Sequence, residues 1–212
     1  MIDQREKLHR LTINNRKAKK LDKFRADFKR SDPNELLSVV TNLYNFAENY
    51  MKSVYDPNNY DSITEYADLN FSELDSDSCT VYGVIGGGIK SHLLYKYCPT
   101  AFPHRGRLAI WALWYLSDKK VIDCEMDSEF LMIDVEENTT QQNYFYPYEL
   151  FAFYAHQIFQ LLKSEAEKLD VYLDTEYRYV HVDSFLSYVS NCHASEIDLL
   201  TNQIREYEYG YM

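Results

Sequence analysis

Residues 31–56 read SDPNELLSVVTNLYNFAENYMKSVYD, and the way this stretch begins and repeats decides most of the fold class. Asp32 precedes Pro33, so residue 32 is pushed out of the α region, while the fixed φ of proline suits a first helical position. Asp32 is therefore expected as an N-cap, with Glu35 three residues later closing a capping box. Leu36, Val40, Leu43, Ala47, Tyr50 and Val54 then recur at alternating four- and three-residue spacings, the pattern of a helix with one buried face. Asp56-Pro57-Asn58-Asn59 ends it as a turn.

Working outward, Leu8, Leu11, Ala18, Leu21, Phe24 and Phe28 predict an amphipathic helix over 5–30 that breaks at 31–33. Residues 1–55 then form an N-terminal antiparallel helical hairpin with a basic first helix, part of the same domain as the rest. Residues 56–212 form an acidic α+β body. Within it, 60–78 hold six carboxylates and few aliphatics and read as a loop with one short helical turn. Alternation around Thr80, Val81, Tyr82 and Val84 predicts a strand running into Gly86-Gly87-Gly88, then a helix over 89–97 that stops before Pro99. The segment 107–117, with Trp111 and Trp114, is apolar all round and predicts a central core helix. Strands are expected at 121–124 and 130–135 as a hairpin, and at 177–182 from its aromatic and β-branched residues. Pro147 starts a helix running to about 169 on a face of Phe151, Tyr154, Ile158, Leu161 and Leu162. Short helices follow Asp183 and Ser195. The expected class is α+β, predominantly α-helical: the hairpin packed on a helical core with a small, mostly antiparallel sheet.

At 212 residues with 46% apolar side chains, the chain can bury its own core and is too rich in aromatics for disorder. The longest apolar run, 108–116, is far short of the ~20 residues that cross a bilayer. The N-terminus lacks the apolar stretch of a secretory signal, so the first helix is expected to be retained, the address to be cytoplasmic and the protein to have no membrane partner. Four cysteines without paired spacing predict free thiols.

The net charge of −11 is uneven. Residues 1–30 carry eleven Lys/Arg against four Asp/Glu, a balance of +7 that leaves −18 on the rest. The basic helix, with Arg16, Lys17, Lys19, Lys20, Lys23 and Arg25, could meet nucleic acid or an acidic partner. Asp123, Glu125, Asp127 and Glu129 alternate, with Asp134 beyond. On one strand face they could hold Mg²⁺ or Mn²⁺ for phosphodiester hydrolysis, but no lysine follows before Lys163. Read as a calcium loop from Asp123, the acids fall at the ligand positions, yet Ser128 replaces the glycine of the sharp turn. The Gly83–Ser91 turn resembles a phosphate cradle, but Ile89 interrupts the Gly-Lys-Ser order a P-loop needs. His181-Val182-Asp183-Ser184 holds triad residue types too close together to be a triad. Tyr144, Tyr146 and Tyr148 offer an aromatic surface for a partner, without interleaved cations for base stacking.

No complete catalytic constellation emerges, and no metal or other cofactor is expected. The reading that follows is a non-enzymatic interaction protein, a small subunit or accessory factor of a bacterial or phage multi-protein assembly, with a protein partner. Two alternatives stand beside it: a metal-dependent hydrolase or nuclease using the acidic cluster 123–134, and nucleic-acid binding through the basic N-terminal helix.

Overall fold

A computed structural model describes residues 22–117, 133–134, 139–140 and 148–197. The described helices are α1 (Asp22–Arg30), α2 (Pro33–Ser53), α3 (Gly87–Tyr97), α4 (Arg107–Leu116), α5 (Tyr148–Lys168) and α6 (Arg178–Cys192). Asp32 caps α2 as its sequence predicts: it is extended (ψ 124°) and its carboxylate accepts the N–H of Asn34. The buried row of α2 is Val39, Leu43, Ala47 and Tyr50, whereas Val40 and Val54 are 40% and 47% exposed. Leu43, Ala47 and Tyr50 thus fall on the face that the spacing predicts, with Leu36 partly buried beside them, and only Val40 and Val54 leave it, Val39 taking the inward position in the first turns.

The expected α+β class is overturned, because the described chain is helical and contains no sheet. The segment 177–182, predicted as a strand, instead leads into α6. There Tyr179, Val182, Leu186 and Ser190 fall at helical spacing and are buried, and tertiary burial overrides β-propensity. The predicted strand at 80–84 is a tight turn. Val84 and Ile85 both donate to the Val81 carbonyl, and Gly83 adopts φ +78°, as the third residue of a type II turn must. Pairing of Ile133–Asp134 with Thr139–Thr140 is two residues long and makes no sheet. The remainder of the predicted 121–135 hairpin lies outside the described residues.

Residues 60–79 are a run of 3-10 turns, Tyr60–Ser62, Tyr66–Leu69, Ser72–Asp75 and Asp77–Cys79, rather than a loop with one turn. Each turn sends one apolar side chain inward: Tyr60, Leu69, Leu74 and Cys79. The tract packs against α2 and α5, and α4 packs along α6. One continuous hydrophobic cluster joins them. At its centre Phe71 lies 4.9 Å from Tyr50, 5.3 Å from Phe102 and 5.8 Å from Tyr148 between ring centroids, the range in which aromatic pairs add to burial.

The start of α5 is fixed from outside. Asp75 accepts the N–H of Tyr148 (3.0 Å) and of Glu149 (3.3 Å), two donors that no turn of α5 could satisfy. In return the Glu149 carboxylate accepts the N–H of Phe71 at 2.8 Å. Each element caps the other.

Candidate functional site

Arg178 is the only arginine between Arg107 and Arg205, and it opens α6 while only 1% exposed. Its Nη1 donates to the Thr100 carbonyl (2.9 Å) and the Tyr55 hydroxyl (3.3 Å), and its Nη2 to Asp61 Oδ1 (2.9 Å). The guanidinium also lies 4.4 Å from the Tyr60 ring centroid and 5.1 Å from that of Phe159. Asp61 takes Lys163 on its other oxygen at 2.8 Å. Burial works to raise the Asp61 carboxyl, but hydrogen bonds from Lys163 and Arg178 outweigh it and hold the group below its ordinary value. The Tyr60 and Tyr179 hydroxyls meet at 2.8 Å.

His156 completes this cluster, edge-on to Tyr60 at 5.2 Å, fully buried, with neither ring nitrogen hydrogen-bonded. Burial and the nearby Arg178 charge push its pKa down to about 4, so the ring is neutral at physiological pH. The residue types could serve acid–base chemistry, but Tyr60, His156, Arg178 and Tyr179 are all buried and no reactant reaches them. The cluster fastens α5, α6 and the segments around Tyr60 and Thr100. No local pattern in the sequence marks the cluster, because its members lie 117 residues apart from Asp61 to Arg178. The isolated Arg178 between two tyrosines was the one available signal.

A second polar group is half-exposed: His104 Nδ1 and Asp183 Oδ1 are 3.3 Å apart, with His92 edge-on to His104. Asp183 thus partners His104 and not the nearby His181, whose ring lies against Phe159. Among the described residues no group of three His, Cys, Asp or Glu is placed to hold a metal ion. In the Gly-rich turn, α3 starts at Gly87, as a phosphate cradle would require. Lys90, however, turns inward to donate to the Leu74 carbonyl and to Thr80 Oγ1, and the Arg105 side chain occupies the space above Gly87.

Of the residues singled out from sequence, Arg16, Lys17, Lys19 and Lys20 lie outside the described residues, as do Asp123, Glu125, Asp127, Glu129, Tyr144 and Tyr146. Lys23 and Arg25 fall on α1, where Arg25 is half-buried, and Asp134 pairs with Thr139 in the short ladder. Tyr148 is no surface ring: it is 1% exposed and donates to the Pro103 carbonyl at 2.9 Å.

The exposed feature of the described chain is apolar. Leu37, Val40 and Tyr44 form a second row on α2, along the flank of the buried one, and are 66%, 40% and 52% exposed. Ile89, Leu93 and Tyr97 form a similar exposed row on α3. The two rows adjoin, because α2 packs on α3, Tyr44 meets Tyr97 edge-on at 5.0 Å and Met51 Sδ lies 3.6 Å from Cys98 Sγ. No family model, curated protein or solved structure matches this chain.

Proposed function

We propose that the protein is a non-enzymatic interaction protein, a subunit or accessory factor of a multi-protein assembly, whose α2–α3 face receives an amphipathic helix of a partner protein. The supporting observation is the double apolar row itself. The outer face of α2, with Ser38, Thr41 and Lys52, is polar as a solvated helix requires, but the flank between that face and the buried row carries apolar side chains left exposed. Six large exposed side chains on adjoining helices make a patch comparable to the roughly 300–600 Å² that marks interaction sites on monomers. Two neighbouring helices leave a groove between their ridges, the shape that a third helix fills with its own i, i+3, i+4 and i+7 side chains.

The test pairs photo-crosslinking with a disrupted face. The wild type, carrying a photoreactive phenylalanine at Tyr97, is expected to crosslink a discrete partner in native lysate through a helical peptide. The Leu37→Glu/Leu93→Glu variant should keep its thermal midpoint and lose the crosslink. An undiminished crosslink in that variant, or none in the wild type, overturns the proposal.

A further inference from the structure

On the other flank of α2, away from the exposed apolar row, Asn42, Asn45, Asn49 and Ser53 recur at helical spacing and face the 3-10 tract, where Asn70, Glu73 and Ser78 stand opposite. Between them lies an open groove of about 480 Å³ with Phe46, Tyr50 and Val54 also in its lining. Its volume falls within the roughly 300–1,000 Å³ of small-molecule sites.

Part of the polar lining is already committed. Asn42 Nδ2 donates to the Ser78 carbonyl at 2.8 Å and holds the two walls together, and Asn70 Nδ2 is taken by the Asp68 carbonyl. Asn70 itself turns the backbone through a left-handed conformation (φ 57°), which places the wall opposite α2. The side chains of Asn45, Asn49 and Glu73 make no hydrogen bond within the described residues, and all three are exposed.

We propose that this groove binds a neutral carbohydrate of one or two rings. Each free amide offers a donor beside an acceptor, and the Glu73 carboxylate offers two acceptors. A pair of vicinal hydroxyls presents the matching set, and the carbon-bound hydrogens of a sugar face would lie on Phe46 and Val54. Charge argues against the main competitors. No lysine or arginine is among the described lining residues, and the single carboxylate repels phosphate or sulfate. One carboxylate is also too few for a cation of the calcium type. A purely apolar ligand would leave the amides without partners.

The experiment is a titration of the full chain, followed through the side-chain amide resonances of Asn45 and Asn49 by ¹H–¹⁵N NMR. The probes are maltose, cellobiose, lactose and N,N′-diacetylchitobiose, with glucose 6-phosphate and trialanine as charged and peptide probes. At least one neutral disaccharide is expected to saturate those resonances with a Kd below about 10 mM. Asn45→Leu/Asn49→Leu should weaken it at least about tenfold with unchanged thermal unfolding, while Leu37→Glu on the apolar face should leave it unaltered. Failure of all four disaccharides to saturate overturns the proposal. So does undiminished binding by the double variant, or saturation by glucose 6-phosphate or trialanine in their place.

Discussion

Replacing His156 by phenylalanine should remove a defined part of the protein's sensitivity to acid. In the unfolded chain the imidazole titrates near its ordinary 6.5, and in the folded protein its pKa is pushed down to about 4, by burial first and then by the Arg178 charge. Below pH 6.5 the unfolded state takes up a proton that the folded state refuses, so stability falls as the pH falls. The loss begins near 6.5 and is complete near 4, and above 6.5 this residue contributes no pH dependence. At 1.36 kcal/mol for each unit of pKa difference, the full loss is about 3 kcal/mol, a large share of a domain's usual 5–15. Phenylalanine has a similar shape and can keep the edge-on contact with Tyr60. It also removes two buried nitrogens that have no hydrogen bond, so at pH 7.5 the variant should be at least as stable as the wild type. Urea unfolding, read from Trp111 and Trp114 fluorescence at intervals from pH 7.5 to 4.5, measures both proteins. Other titrating groups, Asp61 included, largely cancel in the difference between them. That difference should widen by about 2–3 kcal/mol in favour of the variant across the range. Parallel curves would refute the reasoning, since they would mean that the folded protein protonates His156 as easily as the unfolded chain does.

Three other substitutions probe the elements that hold the fold. Asp61→Asn leaves the Arg178 guanidinium, 1% exposed, without its carboxylate, and should cost about 2–4 kcal/mol in the same urea assay. Asp75→Ala removes the acceptor for two N–H groups at the start of α5 and should cost about 1–2 kcal/mol, measured as a lower thermal midpoint. Gly87→Ala would put a methyl group where the Arg105 side chain lies. The shift this forces should cost about 1–3 kcal/mol by urea unfolding, while a mild Gly→Ala gain in stability would show that Arg105 is free to move away.

Where the chain carries strong local signals, its sequence foretold the structure. Asp32-Pro33 fixed the start of α2, the apolar run after Gly106 gave α4, and Pro147 stood just ahead of α5. Periodicity located these helices better than it oriented them. The spacing predicts Val40 and Leu161 as core positions, but they are 40% and 67% exposed, because the apolar stripes of α2 and α5 are wider than the faces these helices bury. The tract 60–79 hid its core role because 3-10 turns place single apolar residues at irregular intervals, which leaves no period to detect among the acids. The strand predicted at 177–182 failed because its aromatic and β-branched residues fit a helix once Tyr179 and Val182 are buried. Long-range geometry was the least legible. Nothing in the local sequence joins Asp61 to Arg178, or makes Asn45, Asn49 and Glu73 walls of one groove.

The exchange of caps between Asp75 and the first turn of α5 also bears on the order in which the molecule folds. Its partners are separated by 73 to 78 residues of chain, and closing a loop of that length costs on the order of 4 kcal/mol in entropy. The two halves of the exchange recover about 1 kcal/mol each, less than that cost even together, so they persist only with the core contacts that form around them. The first turn of α5 and the 3-10 turn at Ser72–Asp75 must then be acquired together, in a late step that also brings Phe71 against Tyr148. Folding should therefore be slower than the high helix content would suggest, because distant meetings such as this one and that of Asp61 with Arg178, and not the helices themselves, limit its rate.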